Sequence, residues 1–179
     1  MRGFREIKEY FMKIVAAEDT CMLDLSKHSL FELPPDVTEL MYLKHLMLGG
    51  NLIAELADGI KFLTNLVSLE CEENNLQNIP EGLSCCTALE ILNFSSNQLQ
   101  KIPSFLTSLN RLRVLLLQNN CLVDIPFYIA TFQALELLNM DSNKIKHVPS
   151  EVGYLKHLVE LHLSNNPFRQ ACPVSMCSL

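Results

Sequence analysis

Residues 89–103 read L-E-I-L-N-F-S-S-N-Q-L-Q-K-I-P, and the rest of the chain repeats this line. Its second leucine and its second asparagine both return at regular intervals, with a constant 23-residue period. The leucines are Leu23, Leu46, Leu69, Leu92, Leu115, Leu138 and Leu161; the asparagines are Asn51, Asn74, Asn97, Asn120, Asn143 and Asn166. His28 occupies the position that a first asparagine would take. A fixed period of this length indicates one small structural unit that is stacked many times.

The positions within one repeat predict its local structure. Leu92 and Phe94 are two residues apart, so both side chains point to one face of a strand. Asn97 ends that strand, and we expect its amide to bond backbone groups of the turn and of the next repeat. Such groups cost about 1–3 kcal/mol each when they are buried without partners. Pro103 fixes φ and removes a donor, which favours a turn or a helical start and excludes a central strand.

The period and its leucines predict the fold class. Seven repeats follow one another without insertion from about residue 20 to residue 168. This pattern is typical of an α/β leucine-rich repeat solenoid, a right-handed horseshoe with a parallel β-sheet on its concave face and short helical turns on its convex face. Strands about 4.8 Å apart would give a sheet about 30 Å across. We therefore predict an N-terminal segment, residues 1–19, and seven repeats with an irregular C-terminal tail, residues 20–179.

The N-terminal segment carries a helical pattern. Its apolar stripe is predicted to comprise Phe4, Ile7, Phe11 and Ile14, flanked by Tyr10 and Val15. The open hydrophobic end of a solenoid must be covered by an atypical cap, and we interpret this amphipathic helix as that cap. The alternative is a helix that binds a membrane surface or a partner. Membrane binding is disfavoured because the polar face is not strongly basic.

The C-terminal end shows no second amphipathic segment. The last strand would therefore present an unpaired edge. Three explanations remain open from the sequence. The tail folds back over Leu161 and Leu163, the molecules pair end to end, or the chain is a shortened form of a longer protein.

Composition restricts the class of partner and the compartment. The net charge of −6 and the pI near 5.3 argue against nucleic-acid binding, which needs a basic footprint, and favour basic protein partners. No apolar run approaches the roughly 18 residues of a membrane helix, and the first residues lack the apolar core of a signal peptide. The seven cysteines are an odd number and do not cluster at the two ends. We expect a cytoplasmic protein without membrane association.

No set of residues predicts catalysis. The sequence contains no Gly-rich phosphate loop, no His-Glu-x-x-His and no nucleophile elbow. Cys172, Cys177 and His162 have the wrong spacing for a structural zinc site. Cys71 and Cys86 take leucine positions and are expected to be small buried hydrophobes. We therefore expect a protein that is not an enzyme and that holds no metal and no cofactor.

The residues also carry a family resemblance. The 23-residue line with Ile-Pro after the asparagine turn, and the opening run at residues 22–27 followed by Leu33-Pro34, resemble cytosolic leucine-rich repeat proteins of the Ras-group type. That group includes the Ras-suppressor and Shoc-type scaffolds and the repeat domains of the Scribble group. The resemblance covers residues 20–168 and implies a non-catalytic interaction module for signalling proteins, small GTPases and phosphatases among them. The chain departs from the family in its small repeat number and in lacking the C-terminal cap.

The strand residues that alternate with the core leucines predict the binding surface. In repeat register, Ile91, Val114, Leu116 and Leu137 form an apolar patch, and contiguous exposed apolar area usually marks an interaction site. Glu70, Glu72 and Glu73 form an acidic cluster one repeat away. Gly49 and Gly50 adjoin that cluster, and their missing side chains are predicted to leave a hollow. The predicted partner-binding residues are Met47, Glu70, Glu72, Glu73, Ile91, Asn93, Val114, Leu116, Leu137, Asn139 and His162.

These features predict a protein–protein interaction scaffold that binds a signalling partner on its concave face. The partner would present an Arg or Lys to the acidic cluster and an apolar side chain to the apolar patch. A plainer interpretation is that β-propensity alone selected Ile91 and Val114, and that the glutamates only solvate the face. Alternative functions are a regulatory or substrate-recognition subunit of a phosphatase or ubiquitin-ligase complex, a fragment of such a protein, or a module that self-associates end to end.

Overall fold

The computed structural model describes residues 2–168, with side chains described from Lys8 onward. Within that range the chain forms one α-helix, seven short strands and six 3-10 helices. Helix α1 spans Arg2–Thr20. The strands are β1 Met22–Asp24, β2 His45–Met47, β3 Ser68–Glu70, β4 Ile91–Asn93, β5 Val114–Leu116, β6 Leu137–Asn139 and β7 Glu160–His162. The 3-10 helices are Pro35–Glu39, Asp58–Phe62, Glu81–Cys85, Ser104–Ser108, Phe127–Thr131 and Ser150–Tyr154.

The strands form one parallel sheet in sequence order, β1 to β7. Residues that are one repeat apart in sequence lie opposite one another on neighbouring strands, as Leu92 does to Leu115 and Leu115 to Leu138. Each strand returns to the next through one 3-10 helix that follows a proline, or Ala57 in the second repeat. The predicted solenoid with a parallel sheet and short helical returns is confirmed.

The core is a continuous aliphatic column between the sheet and the 3-10 helices. The second leucines of the first six repeats are at most 1% exposed, and Leu161 on the last strand is 5% exposed. Cys71 and Cys86 are buried as predicted, whereas Cys85 is exposed. Burial raises the pKa of the Cys71 thiol well above its ordinary value and that of Cys86 to about 12. These two thiols therefore act as packing groups at neutral pH.

The repeated asparagines satisfy buried backbone groups, as their position predicts. Nδ2 of Asn97 donates to the carbonyls of Cys71, Phe94 and Ser95 at 2.9, 3.2 and 3.0 Å, and Oδ1 accepts from the N–H of Leu76 at 2.9 Å. The predicted bond to the next repeat is wrong, because these contacts reach the preceding one. The backbone N–H of Gln98 also donates to Leu76, at its carbonyl, so both polar groups of Leu76 face the turn that follows Asn97.

His28 replaces asparagine in the first repeat because α1, and no earlier repeat, precedes it. Its Nδ1 lies 2.6 Å from the carbonyl of Ser26, and its Nε2 lies 3.1 Å from Nζ of Lys13 on α1. The side chain thus connects α1 to the first turn.

Helix α1 packs against β1 through a narrower face than the predicted stripe. Ala17 is fully buried, and Tyr10 and Ile14 pack partly buried against the core, at helical spacings of four and three residues. Phe11 is 58% exposed, so its predicted place in the inward-facing stripe is wrong, and Val15, predicted to flank the stripe, is 65% exposed. Ala17, the fully buried residue of this face, lies in the core cluster with the leucines of the first repeat. The side chains of Phe4 and Ile7 lie outside the described ones.

Two further predictions concern the ends of the chain. Within residues 2–168, no helix combines the length and the apolar character that crossing a membrane requires. The irregular tail, residues 169–179, which contains Cys172 and Cys177, lies outside the described residues. The division at residues 19 and 20 into cap and repeats stays a prediction.

The residue before each asparagine, or before His28, adopts a left-handed conformation that periodicity did not reveal. Its φ lies between 53° and 67° in all seven repeats, although only the second repeat has a glycine there. The residues are Lys27, Gly50, Glu73, Ser96, Asn119, Ser142 and Asn165. A side chain in this conformation costs roughly 1–2 kcal/mol.

We expect Gly50→Ala to lower the free energy of unfolding by about 1 kcal/mol. The strain of a positive φ exceeds the gain of about 0.4–1 kcal/mol from a less flexible unfolded chain. Gly153→Ala is the control, because a Cβ there meets no atom within 4 Å and its φ is not positive. That variant should be neutral or slightly stabilised in urea denaturation followed by circular dichroism. Equal losses in the two variants would contradict the assignment of strain to Gly50.

Candidate functional site

The exposed face of the sheet carries the apolar patch as one contiguous surface. Ile91, Val114 and Leu137 lie opposite one another at the start of β4, β5 and β6, and Leu116 lies between Asn93 and Asn139 at the strand ends. Ile91 is 37% exposed and the other three patch residues are partly exposed. At about 4.8 Å per strand, the patch extends about 10 Å across the sheet.

The acidic cluster lies beside the patch, on β3 and in the turn that follows it. Oγ of Ser68 donates to Oε1 of Glu70 at 3.2 Å, and Nδ2 of Asn93 donates to Oε2 of Glu72 at 3.2 Å. Both donors are neutral, so they orient the carboxylates without cancelling their charge. None of the four ion pairs among the described residues involves this cluster. The carboxylates therefore keep their capacity to bind a cation.

The predicted hollow beside the cluster is wrong. A Cβ on Gly49 would overlap Oε1 of Glu72, and a Cβ on Gly50 would lie 3.0 Å from Cγ of Lys27. The two glycines leave room that neighbouring side chains fill, since Glu72 folds across Gly49 and the stem of Lys27 covers Gly50. A ligand would meet a filled surface with a carboxylate on it.

The remaining predicted residues lie at different distances from the cluster. Met47 lies directly opposite Glu70 on the neighbouring strand. Asn139 uses Oδ1 to accept from the N–H of Asp141 at 3.0 Å, so this oxygen holds a turn. His162 lies on β7, four strands and about 19 Å from β3. Its Nε2 lies 3.3 Å from Oε2 of Glu160. The structure therefore does not bring His162 together with the acidic cluster.

Gln118 is a residue of this face that sequence reasoning missed. It lies two residues beyond Leu116, at the carboxyl end of β5. Its Oε1 is buried and accepts no hydrogen bond from the described part of the chain. Buried acceptors are rarely left without a donor. The sequence contains no signal for this, because glutamine at such a position usually reaches solvent.

The sequence analysis also missed a row of alternating charges, which lies at the amino-terminal ends of the strands. Arg113 donates from Nε and Nη2 to the two carboxylate oxygens of Glu136 at 2.9 and 3.0 Å, and Nη1 lies 3.8 Å from Glu90. These hydrogen bonds raise the pKa of Arg113 and lower that of Glu136. The alternation of charge from one repeat to the next could have predicted this row. Its charges are paired and exposed, so it contributes little stability and leaves no free cation for a partner.

A groove of about 570 Å³ lies on the side of the solenoid that carries the 3-10 helices, and residues of the first three repeats line it. Its floor includes the buried Leu33 and Leu56, and its rim carries carboxylates. These are Glu32, Glu55, Asp58 and Glu81. Nζ of Lys61 lies 3.0 Å from Asp58, so part of this acidic rim is already paired. In the described range, no group of three or more His, Cys, Asp or Glu side chains is placed to hold a metal ion.

Comparison with known proteins agrees with the repeat. A family model described as Leucine Rich repeats (2 copies) matches residues 87–130, and one described as Leucine Rich Repeat matches residues 157–179. No curated protein sequence matches the chain significantly. The chain thus contains leucine-rich repeats, and its parallel sheet with 3-10 returns has the architecture of a leucine-rich repeat solenoid.

Several solved structures share the fold of this chain. The crystal structure of a TDR receptor is 30% identical with a TM-score of 0.70, over 75% of this chain and 24% of that one. An internalin from Listeria monocytogenes is 22% identical with a TM-score of 0.76, over 87% and 44%. The plant peptide hormone receptor RGFR1, solved in complex with RGF2, is 26% identical with a TM-score of 0.67, over 75% and 22%. The chain thus spans less than half the length of these structures.

Proposed function

We propose that this protein is a non-catalytic interaction scaffold that binds another protein on the exposed face of its sheet, the predicted concave face. The observation that carries the proposal is the adjacency, on one face of the sheet, of an apolar patch and an acidic cluster that makes no ion pair among the described residues. The fold supports it, because a leucine-rich repeat solenoid offers an extended ribbed surface. One structure with this fold is a plant peptide hormone receptor, RGFR1, solved in complex with RGF2.

The two surfaces define the chemistry of the partner. Aliphatic side chains of the partner would remove the apolar patch from water, at about 25 cal/mol for each Å² buried. A lysine or arginine would meet Glu70 and Glu72, whose orientation is already fixed by Ser68 and Asn93. Because the carboxylates are held before binding, little conformational entropy is lost when the cation arrives.

The class of partner follows from the resemblance to the Ras-group repeats. We propose that the partner is a cytoplasmic signalling protein, either a small GTPase or a phosphatase. The 23-residue line with Ile-Pro supports this, because it resembles scaffolds of that group. We also propose that α1 caps the first repeat. The burial of Ala17 and the contact between Lys13 and His28 support this role.

The triple variant Glu70→Lys, Glu72→Lys and Glu73→Lys tests the proposed surface. We expect affinity capture from cytosol to lose the partner, because the surface that should attract a basic group now repels it. The melting temperature should move by less than about 2 °C, since these side chains make no ion pair in the described range.

A matched control makes the same change of charge on the opposite side. The variant Glu32→Lys, Glu55→Lys and Glu81→Lys alters three exposed carboxylates at the groove on the 3-10 side. This control should capture the partner at the wild-type level. If the acidic-cluster variant retains its partner, or if both variants lose it equally, the exposed sheet face is not the binding surface.

A further inference from the structure

Gly59 and Gly82 take a position on the 3-10 side at which the next two repeats carry an aromatic residue. The residues one and two periods beyond Gly82 are Phe105 and Tyr128. Positions one period apart are equivalent in a solenoid. Phe105 is partly buried against the core, and the hydroxyl of Tyr128 donates to the backbone carbonyl of Ile102 in the preceding repeat. The ring of Tyr128 therefore extends across the repeat before it.

The place of this ring is filled at Gly82 and open at Gly59. A Cβ on Gly82 would lie 2.7 Å from the backbone oxygen of Asp58, so the preceding repeat already occupies that place. The three atoms nearest to a Cβ on Gly59 all belong to the flexible side chain of Thr38, at 3.0–3.2 Å. Gly59 lines the groove on the 3-10 side. This groove thus includes the space in which an aromatic ring would lie.

The walls of the groove beside Gly59 match the repeat that lies before Tyr128, three periods further along. The wall residues Leu33, Pro35 and Thr38 are equivalent to Ile102, Ser104 and Thr107. The carbonyl of Leu33 accepts no hydrogen bond from residues 2–168, whereas that of Ile102 accepts the tyrosine hydroxyl. A phenol ring placed over Gly59 would therefore meet similar walls and an acceptor that no described residue uses.

The rim of the groove differs in charge from the site that Tyr128 fills. Glu32, Glu55 and Glu81 are exposed at the rim and make no ion pair among the described residues. The residue three periods after Glu32 is Lys101. The open site therefore favours a ring that arrives with a positive charge beside it. Exposed charges of this kind contribute more to selectivity and association rate than to affinity, so the ring supplies most of the affinity.

We infer that the groove on the 3-10 side binds a segment of a partner protein that inserts a tyrosine above Gly59 and carries a lysine or arginine next to it. The ring packs on Leu33 and Thr38, and its hydroxyl donates to the carbonyl of Leu33. The basic side chain lies against the carboxylates of the rim. The groove volume of about 570 Å³ lies within the range of about 300–1,000 Å³ that is typical of ligand pockets, so both side chains have room.

Selection of random heptapeptides displayed on phage tests the chemistry of the occupant. The library is first depleted on the immobilised variant Glu32→Lys, Glu55→Lys and Glu81→Lys, which removes peptides that bind other surfaces. Peptides then selected on the wild type should carry a tyrosine next to a lysine or arginine. Enrichment of basic residues without tyrosine would overturn the inference.

Variants of one selected peptide separate the ring from its hydroxyl, with fluorescence anisotropy of the labelled peptide as the measurement. Replacement of the tyrosine by phenylalanine should weaken binding about three- to tenfold, as the loss of one hydrogen bond predicts. Replacement by alanine should weaken binding further, because the burial of the ring is lost as well. A phenylalanine peptide that binds as tightly as the tyrosine peptide would contradict the contact with Leu33.

Gly59→Tyr supplies the ring from within the chain. The φ of Gly59 is not positive, and Thr107 accompanies Tyr128 at the equivalent place, so the fold should be kept. Binding of the selected peptide should fall at least tenfold, because the new ring occupies the site. Gly153→Tyr is the matched control and should bind as the wild type does, since a Cβ there meets no atom within 4 Å.

Equal affinities of the two tyrosine variants for the peptide would overturn the inference. If circular dichroism shows that Gly59→Tyr does not fold, the peptide variants decide in its place. A selected peptide that tolerates alanine at its tyrosine then overturns the inference, and one that loses binding supports it.

A second copy of this chain is the rival occupant, because Tyr154 is 64% exposed and Lys156 near it is exposed. Sedimentation at two concentrations compares the wild type with Tyr154→Ala and Gly59→Tyr. We expect neither variant to change the association state of the wild type. Self-association that both variants abolish would assign the groove to a second copy and overturn the inference.

The inference goes beyond the proposed function, because the groove and the exposed sheet face are separate surfaces. The variant Glu70→Lys, Glu72→Lys and Glu73→Lys should keep the selected peptide and lose the partner of the sheet face. The variant Glu32→Lys, Glu55→Lys and Glu81→Lys should do the reverse. Either proposal can therefore fail while the other stands.

Discussion

Leu115→Ala is expected to lower the free energy of unfolding by about 2–5 kcal/mol. Leu115 is 0% exposed and lies opposite Leu92 and Leu138 in the middle of the sheet. Truncation removes buried methyl groups and leaves a cavity in the leucine column. The cavity cannot collapse easily, because the repeats on both sides hold their neighbours in place. Urea denaturation followed by circular dichroism measures the loss.

The neighbouring residue supplies the control for this prediction. Leu116 is the same residue type, but it points to the exposed face and is partly exposed. Leu116→Ala should cost less than about 1 kcal/mol, because water already reaches the side chain. Leu92→Ala should behave as Leu115→Ala does, since both are fully buried. A loss below about 0.5 kcal/mol for Leu115→Ala is the size expected of a surface substitution and would contradict the register of the repeats.

Asn97→Ala is expected to lower the free energy of unfolding by about 2–4 kcal/mol. The substitution removes three donor contacts and the only side-chain acceptor that the N–H of Leu76 has among the described residues. Each buried polar group left unpaired costs about 1–3 kcal/mol, and water that enters the space offsets part of this sum. Urea denaturation measures the total, and hydrogen exchange at the Leu76 amide measures the local effect.

Gln98→Ala is the matched control, because Gln98 is exposed and uses only its backbone in this turn. We expect a change within about 0.5 kcal/mol. Faster exchange at Leu76 in Asn97→Ala, but not in Gln98→Ala, would identify the asparagine side chain as the acceptor. Unchanged exchange in both variants would mean that the side chain does not protect that amide.

The 23-residue period alone predicts much of the strand pairing and of the side-chain arrangement in this molecule. In a solenoid, residues one repeat apart in sequence are neighbours in space, so a constant period fixes which strands pair and which side chains share a row. That is why the leucine column is predicted correctly. For the same reason, the sequence alone predicts that Ile91, Val114 and Leu137 lie side by side on neighbouring strands, as they do. The alternation of a strand then separates core residues from exposed ones.

The repeat period thus predicts the fold, the register of the strands and the rows of the exposed face. The way side chains fill that face, and the side of α1 that faces the repeats, are visible only in the three-dimensional packing. Glu72 folds across Gly49, Oε1 of Gln118 is buried without a donor among residues 2–168, and Phe11 faces solvent. Each depends on torsion angles and close packing between particular neighbours, which differ from repeat to repeat. A period describes what the repeats share, so it contains no information about these individual contacts.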